Sequence, residues 1–335
     1  MELDEGISIV FYDGGVKRGL VIGEFLPLHQ GHIALIKFAA GRCDELIVSM
    51  SYTANDPIDP PLRFSWIQET FQGLPAIRCE MVLDDFDDES LPIGERTKIW
   101  SAFIRMRYPP IDVIFSSEEY GESFGRHLGV PHFAFDIQRL LVPVSSTLIR
   151  EQPLAYWEYI PVVVRPYFVK KVCFYGPEST GKTTMAKHLA DVYQTEYVPE
   201  VAREMITSND FTEDDIIRIG YAQTERVLER VKTANKLLFC DTDLITSQIY
   251  SQTYLHRVPD ILYELERLIK YDLYFLFDID LPWVDDGLRD LGNQRNEMYD
   301  VFKNELVKRK IPFIDVRGNH EEREEIIKKE LNRLT

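Results

Sequence analysis

Short apolar runs alternate along this chain with longer stretches whose apolar positions recur every three or four residues. The first pattern marks buried strands and the second amphipathic helices. In the first half, residues 18–23, 45–50, 77–83, 111–115 and 132–135 read as strands, and 33–40, 63–71, 95–107 and 119–128 between them read as helices. In the second half, strands are expected at 172–175, 196–198, 237–240, 273–277 and 313–316. A strand that is apolar throughout must be covered on both faces. The alternation therefore predicts two α/β domains, each a doubly wound parallel sheet. Pro153, Pro161 and Pro166 break the pattern between residues 151 and 170, which places the boundary there, with 1–158 as one domain and 159–335 as the other. The 335 residues allow each domain a core of its own.

Charge narrows the partners. A formal net charge of −17 opposes nucleic acid as the main ligand, because binding a phosphate backbone needs clustered Lys and Arg. Any phosphate site must therefore be local. Cys43, Cys79, Cys173 and Cys240 lie far apart with no C-x-x-C spacing, which fits free thiols in a reducing cytoplasm. No apolar stretch reaches 18 residues, and the acidic start Met1-Glu2-Leu3-Asp4-Glu5 is unlike a signal peptide, so a soluble cytoplasmic protein is expected, away from membranes. Nothing in the sequence opposes a homo-oligomer.

One local phosphate site is explicit. Gly176-Pro177-Glu178-Ser179-Thr180-Gly181-Lys182-Thr183-Thr184 fits G-x-x-x-x-G-K-[ST] and follows the strand-like run 171–175. Its glycines let backbone amides turn around a phosphate, and a helix starting there points its positive end at the same anion. Lys182 is placed to reach the β- and γ-phosphates of ATP, and the Thr183 hydroxyl to hold Mg²⁺. The run 237–243 then ends in Asp241 and Asp243. One such carboxylate positions the metal and a neighbour accepts a proton from the attacking hydroxyl, while plain helix capping is the simpler use of either.

A second candidate lies before it. Gly23-Glu24-Phe25-Leu26-Pro27-Leu28-His29-Gln30-Gly31-His32 follows the first strand and leads into a helix, so His29 and His32 stand where a helix start favours a polyphosphate, and Gly31 allows close backbone approach. Histidines at such places are often ordinary caps. Ser145, Ser146 and Thr147 then open another helix, with Arg150 about a turn on, a combination suited to clamping phosphate. Together the two stretches resemble the HxGH and SSTxxR signatures of the nucleotidyltransferase superfamily. The resemblance implies a Rossmann-like domain with its nucleotide between strands one and four, where Gly23, Phe25 and the Ser116-Ser117-Glu118 loop meet ATP.

The order of motifs, PLHQGH, SSTLIR, GPESTGKTT and then the Glu200/Arg203 segment, resembles the bifunctional NadR-type family, which joins a nicotinamide mononucleotide adenylyltransferase to a P-loop ribosylnicotinamide kinase. The resemblance implies that ribosylnicotinamide and ATP give the mononucleotide, and that the mononucleotide and a second ATP give NAD and pyrophosphate. Glu200 and Arg203 follow the second strand of the second half, where small-molecule P-loop kinases meet their acceptor; Arg289 and Arg295 resemble the lid such kinases close over the transferred phosphoryl group, surface arginines being the simpler reading, and Arg317 and Asn319, after the last strand, form a candidate adenine-side loop. Trp100 is the candidate for stacking on the pyridine ring in the first domain. Two departures bear on these expectations. Fewer than twenty residues precede the first strand, too few for the helix-turn-helix of longer relatives, so no DNA binding is expected. Glu24 stands where the family often has Lys or Arg, and is expected to turn back onto Lys17 or Arg18 rather than face a triphosphate. The competing readings are a coenzyme A synthase, which also pairs a nucleotidyltransferase with a P-loop kinase, and a regulator that binds NAD and ATP without turnover.

Overall fold

The computed structural model of the protein describes residues 17–88, 90–206, 208, 210–283 and 292–334. Two compact units meet between Val164 and Arg165, six residues beyond the boundary expected at 158/159. The proline-rich stretch groups with the first unit because it is not a bare linker: Leu154, Trp157, Ile160 and Val164 are all buried. Among the described residues no helix is long and apolar enough to cross a membrane.

The first unit runs β1 (Arg18–Gly23), α1 (Gln30–Ala40), β2 (Glu45–Tyr52), α2 (Pro60–Phe71), β3 (Ile77–Leu83), α3 (Ile93–Arg107), β4 (Val113–Ser116), α4 (Tyr120–Leu128), β5 (His132–Ala134) and α5 (Ser146–Glu151). Its five strands are parallel in the order β3-β2-β1-β4-β5. Leu20 of β1, Ile47 of β2 and Ile114 of β4 pack with Trp100 and Ile104 of α3 and Phe124 of α4 to form a core on one face.

The second unit runs α6 (Arg165–Phe168), β6 (Lys170–Tyr175), α7 (Lys182–Tyr193), β7 (Glu196–Val198), α8 (Ala202–Met205), α9 (Glu213–Arg230), β8 (Leu237–Asp241), α10 (Leu244–Leu255), α11 (Asp260–Glu266), β9 (Leu273–Phe277), α12 (Arg295–Arg309), β10 (Ile314–Val316) and α13 (His320–Leu331). The parallel order is β10-β9-β6-β8-β7. β6 explains why the run was apolar throughout. Val172 and Phe174 face α7 and α13 on one side, while Cys173 and Tyr175 face α10 and α12 on the other. All four cysteines are free thiols; Cys173 and Cys240 are buried and Cys43 and Cys79 are half-buried.

Candidate functional sites

Both units place their phosphate chemistry at the C-terminal ends of parallel strands. In the first, β2 and β4 flank β1 on opposite sides, so the loops leaving β1 and β4 diverge and open a crevice. A cavity of about 240 Å³ there is lined by His29, His32, Glu118, Arg139, Ser145 and Arg150, among others. It shares His32, Ser117, Glu118 and Ser146 with a cleft of about 420 Å³ that extends past Gly23 and Phe25 to Arg96 and Trp100.

The loop after β1 is held by three side chains from elsewhere in the unit. Arg63 of α2, fully buried, donates to the Glu24 carbonyl and to the Asp56 carboxylate. Arg150 of α5 donates to the Leu26 carbonyl, and the Ser146 hydroxyl to the Pro27 carbonyl at 3.1 Å. His29 caps α1, its Nδ1 accepting the Gly31 amide at 3.1 Å, so a neutral ring carries its proton on Nε2 and is left as a donor there. The cap explains Gly31 differently from the sequence: a Cβ at Gly31 would sit 2.9 Å from the His29 ring. The His29 and His32 rings stack at 3.7 Å, and the edge of Phe25 meets His32 at 4.9 Å. Burial, then the charge of Arg139, lowers His29 to about 3. His32 is pushed well below its ordinary value by burial, His29 and Arg139. Both imidazoles are therefore neutral near pH 7, each with one N–H to give.

The hydroxyls divide their work. Ser145 caps α5 by accepting the Leu148 amide at 3.2 Å, and Thr147 accepts from Arg150 at 3.3 Å. Ser117 and Glu118 line the cavity, but Ser116 does not. Ser116 is buried, 2.9 Å from His132 Nε2, against a helix that approaches so closely that a Cβ at Gly121 would overlap its hydroxyl. Trp100 is both things at once: a nearly buried member of the core against Phe86 and Phe103, and a wall of the cleft whose Nε1 donates to Asp87 at 3.1 Å. Asp87 also receives Arg96 at 2.6 Å, which holds its carboxyl below the usual range.

Glu24 does not turn back onto Lys17 or Arg18. Those residues precede or open β1 while Glu24 follows its end, about 20 Å away at strand spacing. Arg18 is bound instead to Glu45 at 2.7 Å and to the Pro110 carbonyl at 3.0 Å. Glu24 is exposed, lines both parts of the first site and feels the charge of Arg63.

In the second unit the loop Gly176–Gly181 joins the central strand β6 to α7. Gly176 takes φ +133, and a Cβ there would sit 2.9 Å from the Phe277 carbonyl oxygen, while Gly181 takes φ +84 as the N-cap of α7. Thr180 braces the loop through Pro177 O at 2.9 Å, and Lys182 Nζ donates to Gly176 O at 2.8 Å and Pro177 O at 2.7 Å. Burial lowers the Lys182 pKa, opposed by Asp241 and Glu200. Asp241 ends β8, the neighbour of β6, so its carboxylate stands beside this loop. Its Oδ2 accepts from the Thr183 hydroxyl, whereas its Oδ1 is buried with no hydrogen-bond partner among the described residues. Burial raises Asp241 to about 6.

Asp243 is built differently. It caps α10, with Oδ1 accepting the Thr246 amide at 2.9 Å and hydroxyl at 3.0 Å and Oδ2 accepting from Tyr274 at 2.9 Å. Burial raises it to about 6 as well. Both oxygens are engaged, which fits the capping use better than the catalytic one.

Beside the loop lies a cavity of about 90 Å³ lined by Glu178, Glu200, Arg203, Gln223, Tyr250 and Tyr254, among others. Arg203 pairs with Glu200 at 2.7 Å. Gln223 Nε2 and Thr242 Oγ1 also belong to this wall and are buried without partners among the described residues, and Thr242 takes the unusual φ of +116. Unpaired buried donors around a cavity are what a polar ligand satisfies, and strained backbone gathers at such places. Arg295 donates to Leu281 O at 3.0 Å and reaches Ser179 O at 3.5 Å, so it adjoins the phosphate loop. Arg289 lies outside the described residues. Arg317 is exposed, and Asn319 caps α13 by accepting the Glu322 amide at 3.0 Å.

Comparison with known proteins settles the family. The AAA domain family matches residues 171–323. The trifunctional NAD biosynthesis/regulator protein NadR of Escherichia coli is 32% identical over 327 residues, covering 89% of this chain and 78% of that protein. The chain belongs to the NadR family. A nicotinamide-nucleotide adenylyltransferase of Methanocorpusculum labreanum is 27% identical over 154 residues, covering 44% of this chain and 86% of that protein. A crystal structure of NadR protein in complex with NAD and AMP-PNP shares the fold, with a TM-score of 0.79 at 22% identity and 96% of each chain covered. In this NadR family member, sequence reasoning missed Arg63, Arg139, Gln223, Tyr250 and Arg323. Tyr250 and Tyr254, four apart on the helix after Asp241-Thr242-Asp243, carried a readable signal; a lone Gln or Arg, in a helix or in a loop like that of Arg139, carries none.

Proposed function

We propose that this protein is a bifunctional NAD salvage enzyme, phosphorylating ribosylnicotinamide with ATP in its second unit and adenylylating nicotinamide mononucleotide with ATP in its first. The observation that carries this reading is that identity to NadR runs over 89% of the chain and so takes in both phosphate sites.

In the first site, a phosphate oxygen of the mononucleotide attacks the α-phosphorus of ATP and pyrophosphate leaves. His29 Nε2 and the His32 N–H are donors for the phosphate oxygens as charge moves onto pyrophosphate, and Arg150 supplies a fixed positive charge. The pyridine ring is assigned to the larger cleft against Trp100, whose indole is oriented by Asp87.

In the second site, the ribose hydroxyl of ribosylnicotinamide attacks the γ-phosphorus of ATP. The acceptor cavity beside Glu200 and Arg203 holds the nucleoside, and Lys182 exchanges its carbonyl partners for β- and γ-phosphate oxygens. Asp243 has no oxygen to offer the attacking hydroxyl; among the described residues the carboxylates facing this cavity are Glu178 and Glu200, and the proton acceptor is assigned to one of them. Thr183 and Asp241 fit Mg²⁺, since the buried Asp241 Oδ1 lacks a partner that a cation or its water would supply. When bound, the ion neutralises charge between the β- and γ-phosphates.

Purified protein given ATP, Mg²⁺ and ribosylnicotinamide, nicotinamide mononucleotide or the phosphopantetheine pair, with products identified by mass, tests the reading. Mononucleotide and NAD are expected; coenzyme A, or no product with any acceptor, contradicts it.

A further inference from the structure

Arg139 and Glu118 both line the first cavity, where Arg139 Nη2 donates to Glu118 Oε1 at 2.9 Å. Both side chains are half exposed, at 42% and 55%. An ion pair so exposed is weak and is readily exchanged for a better partner.

The loop that carries Arg139 is fixed at its base. The Asp136 carboxylate accepts the amides of Leu140 at 2.7 Å, Leu141 at 3.1 Å and Val142 at 3.0 Å. Asp136 and Arg139 themselves both adopt left-handed backbone, at φ +47 and +53. Two non-glycine residues in that conformation within four positions cost energy, and here they set the guanidinium facing the cavity. Its charge is felt at both histidines.

Charge balance asks for such a group. Among the described residues, the charged side chains lining this cavity are Glu24, Glu118, Asp136, Arg139 and Arg150, three carboxylates against two guanidiniums. Both histidines are neutral near pH 7, and Arg150 is turned onto Leu26 O and Thr147. A triphosphate entering a pocket whose lining is net negative needs a cation that can turn fully toward it.

We propose that Arg139 is a phosphate-binding residue of the adenylyl-transfer site, parked on Glu118 and passed to the β- and γ-phosphates when ATP enters. A guanidinium matches two phosphate oxygens at once, and it would stabilise the charge that gathers on the β-phosphate as the bond from the α-phosphorus to the bridging oxygen breaks. The inference rests on the adenylyltransferase reading of the first site.

The test compares Arg139→Ala and Arg139→Lys in the full chain. Arg139→Ala is expected to raise the KM for ATP in NAD synthesis and the inhibition constant of pyrophosphate each about tenfold or more. The KM for nicotinamide mononucleotide and the rate of ribosylnicotinamide phosphorylation should stay within about twofold. Arg139→Lys should recover part of the loss. Equal rises in both substrates' KM, or unchanged pyrophosphate inhibition, would overturn the assignment. Pyrophosphate binding, measured calorimetrically in a Lys182→Ala background that disables the other phosphate loop, keeps the two questions apart. A chain that forms no NAD contradicts the functional reading, yet weaker pyrophosphate binding in Arg139→Ala still supports the assignment and equal binding refutes it.

Discussion

Asp241 and Asp243 stand two residues apart and looked interchangeable in the sequence, but the fold separates them. One faces the phosphate loop with an unpaired oxygen; the other is a fully bonded helix cap. Asp243 titrates near 6 in the fold against an ordinary value of 3.8 because burial disfavours its charge. The folded state thus holds the proton more tightly, so the stabilisation is complete below about pH 4 and lost as pH rises through 6. Asp243→Asn removes the buried charge while an amide can still cap α10. It should therefore gain on the order of 1–3 kcal/mol over the native chain at pH 8 and nothing at pH 4, read from thermal unfolding at both values. Kinase kcat should stay within about tenfold. A loss of 10²–10⁴-fold with unchanged stability would instead identify Asp243 as the base. Residue types and spacing named both carboxylates, but which oxygens are already satisfied depends on Thr246 and Tyr274, and Tyr274 comes from a strand 31 positions on.

Elements were more legible than their ends. The strands at 18–23, 77–83, 196–198 and 273–277 lie where the sequence puts them; in β1 and β9 a buried apolar interior leaves no polar position to blur the limits. Helices begin earlier than their apolar periodicity does. α1 starts at Gln30, α2 at Pro60 and α7 at Lys182, since a first turn is built from caps, prolines and ligand-facing residues rather than core ones. α13 illustrates what no pattern reveals. Its Arg323 is buried and donates to Thr180 O in the phosphate loop, to Gly318 O at 2.8 Å, to Asp278 O at 3.1 Å and to the Asp280 carboxylate. A helix near the end of the chain thereby holds the loop that follows β6. Arg323→Met is expected to destabilise the second unit by about 2–4 kcal/mol and to raise the kinase KM for ATP, leaving NAD synthesis from the mononucleotide unchanged. Loss of stability without any change in that KM would confine Arg323 to the core.

At the scale of the whole molecule, two five-stranded sheets each carry a phosphate site after their central strand, and the described residues lining each site belong to its own unit. The duplication was readable because each half had its own glycine-bearing loop after its first strand. The dividing point was not, because the buried Trp157 and Ile160 sit among prolines that read as a linker. Independent chemistry in the two units is the central claim, and paired substitutions in the full chain test it directly. Lys182→Ala should cut ribosylnicotinamide phosphorylation by about 10²–10³-fold and leave NAD synthesis from the mononucleotide within twofold, and His32→Ala should do the reverse. Loss of both activities together in either folded variant would contradict it.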